Sequence, residues 1–78
     1  PVYFYRSDVK CGKAVWEVDL PNRIALIIGS EAAGVSDEAV KYSNEVIHIP
    51  MPGETESLNA SVAAGILMYE VVRQRQRL

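Results

Sequence analysis

The sequence has few of the residues that would indicate an extracellular, membrane-spanning or metal-binding chain. Its single cysteine, Cys11, excludes an internal disulfide and favours a reducing cytoplasm. No apolar run approaches the roughly 18 residues of a membrane span, and no signal peptide is recognisable. With His48 as the only histidine and no cysteine near it, we reject a metal site. These absences favour a cytoplasmic globular domain.

The length also limits what the chain can do. A chain of 78 residues suits one small domain with a thin core, which is of marginal stability unless it gains a partner. The sequence begins at Pro1 rather than Met, inside an expected strand, so we expect a fragment of a longer protein.

Charge is distributed unevenly along the chain. From residue 57 onward three arginines stand against one glutamate, a net charge of +2, whereas five basic and nine acidic residues precede them, a net charge of −4. An acidic body is a poor surface for RNA phosphates, which bind clustered Lys and Arg. The terminal arginines are also explained by the negative end of a helix dipole. If RNA is the substrate, most of its binding surface is expected outside this chain.

Hydrophobic patterning predicts an α/β fold with a parallel sheet flanked by helices. Residues 2–5 alternate as a short strand, residues 7–12 indicate a loop, and residues 14–18 an edge strand or an extended crossing. The uninterrupted apolar run at 24–28 predicts a strand buried on both faces. A further strand at 45–49 is stopped by prolines.

Two helices are expected. Ser36 is a suitable N-cap for a short helix at 37–43, with acidic residues in its first turn. The last helix, at 58–76, is apolar over too wide an arc to cover a sheet alone. We therefore expect a second contact surface on this helix, most simply a partner subunit.

Two loops after predicted strands carry the candidate functional residues. Gly29 lets the backbone approach a ligand closely, although a purely structural turn explains it as well. Glu31 is either a solvated loop charge or a carboxylate that orients a basic partner or holds a loop amide. Together the loops are typical of a small-ligand site in an α/β sheet.

The second loop leads into the last helix. Ser57 and Asn59 flank the helix start, where capping explains one polar residue and leaves the pair with a donor and an acceptor for a ligand. Ile49, Met51 and Leu58 surround the same loop with apolar surface that suits an adenine or a similar ring. Core packing explains these three residues equally well.

Three segments resemble a known family. IIGSEAAGVS (27–36), IPMPG (49–53) and SLNASVA (57–63) are similar to the second and third motifs of the SpoU/TrmH family of RNA 2′-O-ribose methyltransferases, of the knotted SPOUT class. The ending YEVVRQR (69–75) is similar to the family's terminal helix. Because residues 25–75 match in order, the chain is identified as the C-terminal part of such a catalytic domain, spanning 1–78.

The resemblance implies a C-terminal trefoil knot that binds S-adenosyl-L-methionine, and a homodimer that packs partly through the last helix. The cofactor-binding positions would be Gly29, Ile49, Met51 and Leu58. The family's polar active-site positions would be Glu31, Ser57 and Asn59. The implied partner of the whole protein is tRNA or rRNA, with no membrane involved.

The family's first motif, which supplies an arginine as catalytic base, does not match any part of this sequence. Arg6 and Arg23 are not in its context, so no catalytic base is assigned and the chain alone is expected to be inactive. One alternative is a non-catalytic module that keeps the cofactor pocket or the dimer surface. A second is an unrelated flavodoxin-like nucleotide-binding domain, which would require neither Ser-Leu-Asn at the helix start nor Ile-Pro-Met before it.

Overall fold

The computed structural model describes residues 1–29, 35–52 and 59–76, and confirms an α/β fold built on a parallel sheet. The strands are β1 (Tyr3–Asp8), β2 (Lys13–Ala14), β3 (Ile24–Ile27) and β4 (Glu45–His48), and the helices are α1 (Asp37–Tyr42) and α2 (Ala60–Gln76). All described strands pair in parallel, in the order β2-β4-β1-β3. β1 therefore lies between the two strands whose loops carry the candidate site.

β1 is longer than the sequence pattern predicted. Ser7 and Asp8, expected in a loop, pair in register with residues of β4. A central strand is extended by its neighbours on both sides, so pairing with them overrides the polar character of these two residues. The loop prediction is wrong at these positions.

β3 is less buried than predicted. All four of its residues are half-buried, because it is the edge strand of the described sheet. Ile24 and Leu26 pack against the core, while Ala25 and Ile27 point to the opposite face by the alternation of a strand. The prediction of a strand buried on both faces is wrong for this chain.

Residues 14–18, predicted as an edge strand or an extended crossing, contribute to two separate elements. β2 pairs with the end of β4, and a 3-10 turn (Val15–Glu17) follows directly. Gly12 precedes β2 with φ +83°, and a Cβ there would overlap the carbonyl of Val46. Glycine is required at this position because other residues rarely adopt this φ and would collide with β4.

The helices form where capping and patterning predicted them. Ser36 caps α1, accepting the Ala39 amide at 3.2 Å, yet α1 has no buried residue. α2 packs on β3 and on the 3-10 turn. The core is one cluster beneath α2, made of Tyr5, Val15, Ile47 and Leu67.

Candidate functional site

The two predicted loops leave the same edge of the sheet. Gly29 lies two residues beyond β3, and Ile49 follows β4 directly. Parallel strands point their carboxyl ends to one edge, and β1 separates these two, so their ends lie about 10 Å apart. Ligands of α/β proteins commonly bind at the carboxyl ends of parallel strands.

Ile49 also approaches the beginning of α2. It lines an apolar groove of about 510 Å³ together with Val62, Ile66 and Tyr69 of α2 and with Trp16 of the 3-10 turn. Trp16 and Tyr69 are about 60% exposed, at 59% and 61%. The structure thus brings the end of β4 and the first turns of α2 to one surface, and Ile49 is the predicted site residue that lines this groove.

Asn59 is the N-cap of α2. Its Oδ1 accepts the amide of Ser61 at 2.9 Å and that of Val62 at 3.4 Å. The capping explanation therefore accounts for the side-chain oxygen, while the amide nitrogen takes no part in the cap. Asn59 is exposed, and it precedes Ser61 and Val62, which line the groove, by two and three residues.

The other predicted residues divide into two groups. Met51 is half-buried, and Ile28, next to Gly29, packs against the same core as Ile49. Glu31, Ser57 and Leu58 lie outside the described residues. The assignments of all seven residues to a ligand remain predictions.

The end of β1 adds polar residues that sequence reasoning did not place at this edge. Asp8 Oδ1 accepts the amides of Lys10 and Cys11, each at 3.2 Å. The Cys11 amide is the larger of these influences, and together they hold the pKa of Asp8 below its ordinary value. Ser7 Oγ donates to the carbonyl of Ile27 at 3.3 Å, linking the ends of β1 and β3. The signal in the sequence was a run of polar residues directly after an apolar strand.

Arg6 and His48 share the sheet face opposite α2. Arg6 Nη1 lies 3.5 Å from Asp8 Oδ2, and Asp8 is in register with His48. Among the described residues, Arg6 Nε and His48 Nδ1 are buried without a hydrogen-bond partner. His48 points away from the core that contains Ile47, by the alternation of a strand.

Residues 1–29, 35–52 and 59–76 hold no group of three or more His, Cys, Asp or Glu side chains placed to bind a metal ion. Neither described helix has the length and apolar character needed to cross a bilayer.

Comparison with known proteins places this architecture among methyltransferases. The sequence profile of the SpoU rRNA Methylase family matches residues 3–69. A 23S rRNA (guanosine-2′-O-)-methyltransferase RlmB from Xylella fastidiosa (strain 9a5c) is 40% identical over 74 residues, which are 95% of this chain and 30% of the relative.

Solved structures agree with the sequence match. The SpoU methyltransferase AviRb from Streptomyces viridochromogenes, in complex with AdoMet, superposes with a TM-score of 0.88 at 35% identity, covering 100% of this chain and 31% of AviRb. A TrmH/SpoU tRNA modifying enzyme from A. aeolicus gives 0.82 at 39% identity, covering 97% and 39%. The chain spans under a third of the length of the RlmB relative and of AviRb.

Proposed function

Since the chain belongs to the SpoU rRNA Methylase family, we propose that it forms the cofactor-binding part of an RNA 2′-O-methyltransferase. The cofactor is S-adenosyl-L-methionine, which supplies a methyl group for a ribose 2′-hydroxyl of tRNA or rRNA. Two relatives support this proposal. RlmB is a guanosine-2′-O-methyltransferase, and AviRb is a methyltransferase whose crystal structure was solved in complex with AdoMet.

One observation carries the proposal for this chain. The end of β4 at Ile49 and the first turns of α2 line one apolar groove, at the edge where β3 also ends. Such an apolar surface fits the flat face of an adenine ring. The cofactor would be held by Gly29, Ile49, Met51 and Leu58.

Polar groups complete the proposed site. Asn59 contributes its amide nitrogen, since its oxygen is used by the α2 cap. Glu31 and Ser57 are proposed as further supporting groups on the strength of the family motifs. The proposed site includes residues of the segment between β4 and α2, and the proposal also includes the C-terminal trefoil knot of the SPOUT class.

Calorimetric titration with S-adenosylhomocysteine, the demethylated product, tests the cofactor assignment. We expect saturable one-site binding by the folded chain. A chain that circular dichroism shows to be folded, and that nevertheless does not bind, would contradict a complete pocket between Gly29 and Asn59.

Catalysis also requires a group that removes the proton of the ribose hydroxyl, and the recognisable motifs of this chain do not supply it. No arginine of the sequence stands in the context of the family's first motif, and the ribose hydroxyl must lose its proton as it attacks. We propose that the 78 residues alone do not methylate RNA. Transfer of labelled methyl from the cofactor to RNA by the isolated chain would refute this.

The apolar surface of α2 supports a second element of the proposal, a homodimer through this helix. Val62, Ile66 and Tyr69 are exposed on α2, where they line the groove together with Trp16. An isologous pair would pack the Ile66 and Tyr69 side of α2 in one copy against the same side of the other copy, and would leave the Ile49 end of the groove to the cofactor. A non-catalytic dimerisation module is the alternative function that this same surface favours.

A further inference from the structure

α2 presents apolar residues on nearly every side. Leu67 and Val71 are buried against the sheet, yet residues of similar character are exposed around the rest of the helix: Val62, Ile66, Met68, Tyr69 and Val72. The apolar residues are spread almost evenly about the helix axis. Hydrophobic burial is non-directional, so it gives little preference for one rotation of this helix over another.

Directional bonds are present at the far end of α2, on Gln74. Its Oε1 accepts the amide of Leu20 at 2.8 Å, and its Nε2 donates to the carbonyl of Val18 at 2.9 Å. These bonds join the last turns of α2 to the irregular segment between the 3-10 turn and β3. One half-buried side chain thus satisfies two backbone groups that no strand pairs with.

Glu70 holds this amide in its orientation. Its Oε2 accepts from Gln74 Nε2 at 2.8 Å, while Arg73 donates to both carboxylate oxygens at 2.7 Å. Arg75 adds a bond from its guanidinium to the carbonyl of Asn22. We name Glu70 and Gln74, together with the bonds of Gln74 to Val18 and Leu20, the amide clasp.

We propose that Gln74 is a positioning residue that fixes the rotation of α2 on the sheet and so the placement of Asn59 at its other end. The helix is 17 residues long, about 25 Å, and is continuous from Ala60 to Gln76. A rotation allowed at the clasp is therefore carried to the cap. The link to the cofactor rests on the function proposed above, whereas the link to the cap does not.

The test compares Gln74→Leu with Gln76→Leu in the full chain. Leucine keeps most of the volume of glutamine and removes every bond of the clasp, while Gln76 is exposed on the same helix and provides the matched control. We expect Gln74→Leu to shift the backbone amide resonances of Ser61 and Val62, and to weaken S-adenosylhomocysteine binding by about fivefold or more. Gln76→Leu is expected to change neither measurement.

Gln74→Glu provides a graded variant. It keeps an oxygen for the Leu20 amide, loses the donor to Val18 and opposes Glu70, so its shifts are expected to lie between those of wild type and Gln74→Leu. If Gln74→Leu does not fold, the amide resonances of Ser61 and Val62 and the S-adenosylhomocysteine affinity of Gln74→Glu test the proposal instead.

Two results would overturn the proposal. In the first, a clasp variant lowers the melting temperature but leaves the cap resonances like those of Gln76→Leu, which would indicate a merely structural role. In the second, the cap resonances shift while cofactor affinity stays constant, which would separate the clasp from the site. Absence of binding by the wild-type chain would instead contradict the cofactor proposal, and the resonances of Ser61 and Val62 would then decide the role of the clasp alone.

Discussion

At the scale of single residues, the same side chain can serve both the fold and the proposed site. Asn59 uses its oxygen to cap α2, and its amide nitrogen is proposed to contact the cofactor. The two roles predict different losses, one in stability and one in affinity. They can be separated with a second asparagine that lies outside the groove.

Asn59→Ala is expected to lose about 1 kcal/mol of unfolding free energy, because the cap of α2 is removed. It is also expected to weaken S-adenosylhomocysteine binding. Asn22→Ala is the control, since Arg75 binds the backbone carbonyl of Asn22, which the substitution keeps. Urea unfolding and calorimetric titration measure the two effects, and equal affinities of the two variants would argue against the pocket assignment.

Substitution by alanine is expected to have opposite effects on stability at two glycines. Gly12→Ala is expected to destabilise the chain by at least about 1–2 kcal/mol, because φ is positive and the added Cβ would meet the Val46 carbonyl. Gly65→Ala is expected to stabilise it by up to about 1 kcal/mol, since Gly65 lies inside α2 with no atom within 4 Å of the new Cβ. Urea unfolding of both variants checks this, and a tolerated alanine at residue 12 would contradict the tight approach to β4.

At the scale of elements, acid stability is expected to depend on the end of α2. Hydrogen bonds from Arg73, more than those from Gln74, hold the pKa of Glu70 below its ordinary value. A carboxyl group with a lowered folded pKa stabilises the fold above its unfolded pKa, and this contribution is lost as pH falls. The fold should therefore lose it below about pH 4.3, the ordinary value for glutamate.

Glu70→Gln is the variant that isolates this effect. We expect it to be less stable than wild type at pH 7, with the difference shrinking as pH falls below about 4. Glu17→Gln, at an exposed position of the 3-10 turn, serves as the control. Urea unfolding across pH 3–7 provides the measurement, and a difference that persists unchanged in acid would exclude the carboxylate as its source.

The elements also show what local sequence could and could not predict. Ser36 and the prolines after β4 act within a few residues of their own positions, so α1 and the end of β4 were predicted closely. Ser7 and Asp8 became part of a strand through partners some 40 residues away, which no local pattern contains. Trp16 and Ile49 line one groove although they are far apart in the sequence. No local pattern indicates such a contact, so the place of Trp16 in the groove was not predicted.

At the scale of the whole molecule, the exposed apolar groove should control association. Ile66→Asp places a charge in the groove, and we expect it to shift the chain from dimer to monomer because an unpaired charge is costly to bury in an interface. Val40→Asp is the matched control: Val40 lies on α1 with nearly the same exposure, 42% against 41%. Light scattering after size exclusion measures the mass, and a wild-type chain that is monomeric at high concentration would contradict the proposed dimer.

The strand order has a consequence for the way this chain reaches its structure. Of the four described strands, no two that are neighbours in the sheet are consecutive along the sequence. No hairpin of neighbouring strands can therefore form early in folding. The hydrogen bonds of β1 form only when β3 and β4, which are distant in sequence, reach it. Pairings of this kind incur loop-closure entropy before they gain stability, which slows folding. Refolding is accordingly expected to be slow for so short a chain, with unpaired strand edges exposed until β4 is in place.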